Sequence, residues 1–567
     1  MRYLFVFLAF MIAGCGDQTD TGAPKPLAPD ALREHSQEFK KGVVRVTDGV
    51  YVAIGYGLAN SIMLEGDDGI IIVDTMETVE EGRQVLAEFR NITDKPVAAI
   101  IYTHNHTDHV FGARAFAEPG AVPVYAHSST SYYINRVVNQ IRPIITARSM
   151  RMFGHHLPDG ELINDGIGPK LGVNEDSTLF ALPPDHTFDD RMEVTIAGVR
   201  LQLVHAPGET EDQLFVWLPD KKVLLSGDNL YRAFPNLYTI RGTYYRDVQK
   251  WIHSLDLMRA LDAEYMVPSH TRPLSGHEHI ERTLTDYRDA IQFVHDQTLR
   301  YMNQGLTPDQ IVERVHLPAH LANNPWLQEF YGKVSWSVRS VFEGYLGWFD
   351  GNPSTLQPLP ELQQARNLAE LAGGADALLD KARAALDEGR AQWALSLSDA
   401  LLLLKPDQQA VKDLRASALR TLATAEANPP ARNYYFTAAR EVADGLKPGF
   451  RTHPPEGFLA TLPVGNFLRA MPAFLKAEET LDVHQKLGFH FRDSNRDFTL
   501  EIRRGVAVVL DGLAADTVAV IDTTEPTWKA IAAGERNAAA ALAGDDLDIR
   551  GGKLDALRIL GYFEKVE

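Results

Sequence analysis

A single cysteine, Cys15, stands in a chain of 567 residues, so no disulfide can form within it. Nor is there any excess of basic charge. The net charge is −19 with histidine neutral, which excludes a nucleic-acid partner, since a phosphate backbone demands basic surface. An anionic substrate would need a local basic pocket set against a repulsive overall field. The longest leading apolar run, Tyr3 to Ile12, is too short to span a bilayer. What remains is the composition of a globular protein, 45% hydrophobic and 23% charged. Its length suits roughly two to four domains.

The short apolar run is informative by its position. Arg2 precedes it, and Ile12-Ala13-Gly14-Cys15 closes it before the polar stretch Gly16-Asp17-Gln18-Thr19-Asp20. This resembles the lipobox of bacterial lipoproteins, in which cleavage before the cysteine exposes it to lipid. The reading predicts an exported protein held to a membrane face through an acylated Cys15, with Thr19 to Pro29 as a flexible tether.

Chemistry concentrates in Thr103-His104-Asn105-His106-Thr107-Asp108-His109. Three histidines and an aspartate in six residues form a dense set of metal ligands, and buried polar groups rarely cluster so without a ligand. The apolar run Val97 to Tyr102 before them fits a buried strand, whose end is a rigid place to hold ligands. On an extended loop His104 and His106 fall on one side and can bind one ion. Asp108 and His109 lie beyond the bend and can turn towards a second.

Strand patterning surrounds this cluster. Val43 to Val46, Val50 to Ile54, Ser61 to Glu65 and Gly69 to Asp74 read as strands, with Asp67-Asp68-Gly69 as a hairpin signal, and Thr78 to Arg90 has helical spacing. Met192 to Ile196, Val199 to Val204, Leu214 to Leu218 and Lys222 to Asp228 repeat the pattern, and Ala263 to His270 is a last strand with a histidine at its tip. Strands with interposed helices predict an α/β fold with helices outside the sheets. Four strand ends thus carry candidate ligands: the cluster, Glu209, Asp228 and His270.

In this order the motifs resemble the metallo-β-lactamase superfamily: H-x-H-x-D-H, then Pro207-Gly208-Glu209, then Gly227-Asp228, then His270, with Asp74 as the supporting strand-end aspartate. A closer resemblance, from about Gly55 onward, is to the linear alkyl sulfatases. It rests on Gly166 to Gly172, on Leu237 to Gly242 with Arg246-Asp247, on Tyr345 to Pro353, and on the glutamate of the Pro-Gly turn. The resemblance implies an αββα sandwich with two divalent ions, zinc first, and manganese or iron admitted by the extra charge of Glu209. His104, His106 and Glu209 would bind one ion, Asp108, His109 and His270 the other, and Asp228 could bridge. Asp108 and Asp228 are the ligands expected to serve catalysis as well. Glu211 competes with Glu209, which takes precedence because it directly follows Gly208. Arg241 and Arg246 match the family's sulfate-contacting arginines, and Tyr244 would add a hydroxyl or a wall. Family members carry histidines between the bridging acid and the arginines. This chain has Leu230 to Pro235 there, with Tyr231, Arg232 or a histidine from elsewhere as the alternatives for a proton donor.

Beyond the sandwich, Glu361 to Leu446 is largely helical, with alanines and leucines at helical spacing, and the family resemblance makes it a dimerisation domain. Pro454 to Glu567 carries three regular strands followed by helices, and resembles a sterol-carrier-like α+β domain with an apolar groove. The expected layout is a leader and tether over 1–25, a catalytic domain over 26–285, a helical domain over 286–450 and the last domain over 455–567. The expected activity is hydrolysis of alkyl sulfate esters by a membrane-tethered homodimer. Other hydrolases of the same fold and a lipid-binding lipoprotein are the alternatives.

Overall fold

Neighbouring residues of the early strands face opposite ways, and that alternation builds the layers. In Ile70–Val73, Ile71 and Val73 point into the space between two sheets, while Ile70 and Ile72 point out to a helical layer. The computed structural model describes residues 29–117, 122–158, 160–449, 463–532, 536–544 and 546–564. Cys15, the leader and the expected junction at 450–455 lie outside the described residues.

The first sheet has seven strands in sequence order: Gly42–Thr47, Val50–Ile54, Ser61–Glu65, Ile70–Val73, Val97–Ile101, Val124–His127 and His186–Phe188. Its first four strands pair antiparallel, and from Ile70–Val73 onward neighbours are parallel. The second sheet has six, running from Leu274–Ser275 through Tyr265–Pro268, Val223–Gly227, Leu214–Leu218 and Val199–His205 to Arg191–Ile196. Val52, Ile62 and Ile101 of the first meet Leu203, Val216 and Leu225 of the second in one fully buried core. Helix Val79–Arg90, whose N-terminus is capped by Thr78, lays Val85 and Phe89 on the outside of the first sheet. Helices Val248–Arg259 and His277–Met302 cover the second. The architecture is the expected αββα sandwich.

The expected boundary at residue 285 falls inside the 26-residue helix His277–Met302. Its stripe Ile280, Leu284, Tyr287, Ile291 and Val294 packs in one piece on the core that holds Trp251 and Met266, and Ile311, Val338 and Val341 join the same core. An unbroken apolar stripe leaves no seam there. From residue 361 run five helices, Glu361–Ala372, Ala375–Asp387, Ala391–Leu404, Gln409–Ala425 and Pro429–Asp444, joined by short turns. The last returns to the sandwich: Arg151 on helix Arg142–Met152 donates to both carboxylate oxygens of Glu441 at 2.6 and 3.1 Å.

The C-terminal unit is a five-stranded sheet in the order Val506–Asp511, Arg496–Arg503, His484–Phe491, Ala519–Thr523, Leu547–Gly551, with helices alongside. Three of these strands are the expected ones. His484–Phe491 and Leu547–Gly551 are additional. Phe489, Phe491, Phe498 and Trp528 fill the core with ring-to-ring contacts, so these apolar residues serve packing rather than lining a groove.

Candidate metal centre and substrate cavity

Every candidate ligand sits at a strand end where the two sheets meet. Val97–Ile101 delivers the cluster, and the turn of helix Thr107–Val110 carries Asp108 and His109. Gly227 ends its strand with φ at 58°, and a side chain there would collide with Gln213, so glycine is what lets Asp228 turn inward. Tyr265–Pro268 leads to His270.

Ligand atoms converge in two groups, His104, His106 and Asp228, and Asp108, His109 and His270, each within 4.8 Å. Asp228 lies between them: its Oδ2 is 3.7 Å from His104 Nε2, 3.5 Å from His109 Nε2 and 3.1 Å from His270 Nε2. The cluster divides between the two groups, His104 and His106 in one and Asp108 and His109 in the other. The first group, however, is closed by Asp228 and not by Glu209. Glu209 is buried beside it, with Oε1 accepting from Arg246 Nη1 at 2.8 Å and Oε2 left without a partner. Glu211 lies at the surface, paired with Lys250.

The other nitrogen of three histidines is already committed. His109 Nδ1 donates to Asp74 Oδ2 at 2.8 Å, and His270 Nδ1 to the Leu58 carbonyl at 2.9 Å. Thr103 Oγ1 donates to Asp74 and faces His104 Nδ1 at 3.0 Å. Each ring therefore offers Nε2 to the centre, the arrangement by which proteins orient metal-binding imidazoles.

Electrostatics point the same way. Burial keeps His104 and His106 neutral, with pKa values well below the ordinary one. Burial also opposes charge on His270, but Asp228 and Asp108 outweigh it and hold His270 up at about 9. The carboxylates create a field that demands positive charge at this spot. His109 Nε2, Asp228 Oδ1 and Glu209 Oε2 are buried without hydrogen-bond partners, which costs ~1–3 kcal/mol each unless a ligand satisfies them. The residues fit a pair of divalent cations.

Beside the centre opens a cavity of about 920 Å³, at the upper end of the range for small-molecule sites. Its inner end holds His106, Asp108, Glu209, Asp228, Arg241 and Arg246, while Ile141, Ile144, Ile145, Met150, Phe153 and Leu171 make an apolar wall. Arg241 Nη2 stands 3.1 Å from His106 Nε2. Arg246, expected as its twin, is instead buried against Glu209 and the Asn236 carbonyl, with Nε and Nη2 unpartnered. Arg246 also lines the cavity, so Nε and Nη2 remain for a ligand while Nη1 serves Glu209. Asp247, its neighbour, is occupied as the N-cap of Val248–Arg259. Tyr244 is at the rim, half exposed under the Arg136 guanidinium.

Neither expected substitute for a proton donor faces the cavity. Tyr231 is buried with its hydroxyl accepting from Asn236 N at 2.8 Å, and Arg232 is paired with Glu38 at 2.6 Å. Among the described residues the only histidine lining the cavity is His106. Tyr331, from the region after the long helix, does line it, and so does Arg148. Neither was legible from the motifs, because both arrive from helices or loops remote from them.

Fold and site together define a metallohydrolase of the metallo-β-lactamase fold. The family model described as metallo-beta-lactamase superfamily matches residues 54–270, and the one described as alkyl sulfatase dimerisation matches residues 307–445. A linear primary-alkylsulfatase of Pseudomonas is 39% identical over 88% of this chain and 98% of its own length. An (R)-specific secondary-alkylsulfatase of Pseudomonas is 30% identical over 91% of this chain and 79% of its own. The solved structure of a stereoselective inverting sec-alkylsulfatase from Pseudomonas superposes with a TM-score of 0.89 at 28% identity, over 95% of this chain and 87% of that one. The chain belongs to the alkyl sulfatase family.

Proposed function

We propose that the protein hydrolyses alkyl sulfate esters, linear primary ones first, to alcohol and inorganic sulfate. The carrying observation is the cavity with two chemistries: a carboxylate–imidazole centre with Arg241, and an aliphatic wall lining the same space. The higher identity to the primary than to the secondary alkylsulfatase supports the primary preference. Two zinc ions suit the imidazole-rich set, and they would supply Lewis acidity and an acidified water. His104, His106 and Asp228 would hold one and Asp108, His109 and His270 the other, with Glu209 completing the first.

The remaining steps belong to side chains. Ile141, Ile144 and Ile145 hold the chain and exclude water around the ester. Arg241 sets its charge against the sulfate. Sulfate is the conjugate base of a strong acid, so cleavage of the C–O bond needs its charge neutralised rather than a proton delivered. Cleavage of the S–O bond would expel an alkoxide and require an acid, which the cavity's histidines do not provide. The leader reading of Arg2 to Cys15 supports export and anchoring by lipid at Cys15, and the dimerisation region supports a homodimer.

The test is to load the purified protein with zinc or manganese, add dodecyl sulfate and measure free sulfate. No turnover with either metal sinks the reading. Heavy-oxygen water should label the alcohol and not the sulfate. Arg241→Ala should raise KM for the sulfate ester at least about tenfold and leave a neutral ester almost untouched. Equal loss on both removes Arg241 from the sulfate role.

A further inference from the structure

Arg148 stands on helix Arg142–Met152, apart from the metal ligands, yet it holds the backbone that carries Arg241. Its Nε donates to the Arg241 carbonyl at 2.8 Å and its Nη2 to the Ile240 carbonyl at 2.6 Å. Among the described residues no other group donates to these two carbonyls. The segment they belong to is neither helix nor strand; it turns through Thr239 to Gly242, whose φ is 107°. A guanidinium fork gripping two successive carbonyls therefore fixes a loop that has little regular structure to fix it.

The same helix makes the apolar wall. Ile144, Ile145 and Met150 line the cavity, and Ile145 lies 3.7 Å from where a side chain on Gly242 would begin. Only Met150 and Met152 of this helix are buried, and the turn before it, Val137–Ile141, is π-helical, a departure frequent at functional sites. Ile144 is exposed and Ile145 half-buried on this wall, so an aliphatic chain laid along it would cover both.

We propose that Arg148 is a positioning residue that links the chain-binding wall to Arg241, so that an alkyl chain seated against its helix sets the guanidinium facing the sulfate. This rests on the alkyl sulfatase reading. Binding energy from the remote tail would then be used to orient the head group, which raises turnover and not affinity alone.

The test uses the full-length zinc-loaded protein, with calorimetry of octyl to dodecyl sulfonates, which lack the scissile C–O bond, against the matching alcohols. Wild type should prefer the sulfonate, and the preference should grow with chain length. Arg148→Ala should bind the alcohols as wild type does, lose about tenfold of the sulfonate preference together with its growth, and turn over the sulfate esters about 10–100-fold more slowly. Arg148→Lys, which keeps the charge but not the fork, should behave like alanine, and it carries the test if the alanine variant does not fold. In an Arg241→Ala background, Arg148→Ala should cost nothing further. A wild-type preference that survives Arg148→Ala, or losses that simply add in the Arg241→Ala background, overturns the link alone. No sulfonate preference in wild type overturns the sulfatase reading with it.

Discussion

Asp74 accepts four hydrogen bonds, from the Thr103 amide, the Thr103 and Ser269 hydroxyls and His109 Nδ1, all between 2.8 and 2.9 Å. It thereby fixes the ring of His109 directly and faces His104 through Thr103. Asp74→Asn should weaken metal binding about 10–100-fold, read by chelator competition. Unchanged affinity would make Asp74 a fold residue only. Arg246 acts on a different balance. Arg246→Ala leaves the Glu209 carboxylate buried without its counter-charge, and burial already pushes Glu209 up to about 8 against the opposing pull of that arginine. At about pH 9, where that carboxyl is charged, urea unfolding of the metal-free protein should show a loss of about 3–5 kcal/mol, most of it regained when Glu209→Gln is added. An additive double variant would show that the two side chains do not act as a pair.

At the scale of elements, the ligand loops were legible because their residues are close together in sequence. H-x-H-x-D-H supplies four ligands within six residues, and strand-end glycine-aspartate and histidine announce themselves by pattern. Partners chosen across the fold were not. Nothing in the sequence says that Arg246 would meet Glu209, 37 residues away, or that Arg148 would reach a loop 93 residues on. Helix Pro29–His35 is another such partner. Its His35 packs flat on Phe330 at 4.2 Å and bonds the Gly166 carbonyl at 2.7 Å, so a short leading helix joins three distant segments. Burial lowers His35 to about 4. The folded ring is neutral while the unfolded one takes a proton near 6.5, so stability is lost as pH falls from about 6.5 towards 4, by about 3 kcal/mol in the limit. His35→Gln should flatten that part of the stability-versus-pH curve. An identical pH slope in the variant would exclude His35 as its source.

The whole molecule carries an apolar surface it does not cover itself. From Tyr345 to Leu362 the chain is exposed throughout, apart from the intermediate Phe349 and Asp350, and Trp348 is 69% and Leu346 59% accessible. This stretch lies within the region matched as the dimerisation family, and a patch of this kind on an acidic protein calls for a partner. Leu346→Asp with Trp348→Asp should shift the sedimentation of the full chain from dimer to monomer at micromolar concentration. A dimer that persists places the interface elsewhere. The long helix His277–Met302 shows why domain borders were the least readable feature: its apolar stripe serves the sandwich on both sides of residue 285, so composition changes earlier than packing does.

Each ligand group draws on both sheets, with His104, His106, Asp108 and His109 from one and Asp228 and His270 from the other. A bound ion is thus a cross-link between segments far apart in the chain, closed only once residue 270 has been made. Parting the two halves requires the ion to be released. The consequence is kinetic: the sheets of a loaded protein should separate no faster than the metal leaves, and resistance to detergent-like substrates would be set by that release rate rather than by the depth of the equilibrium well.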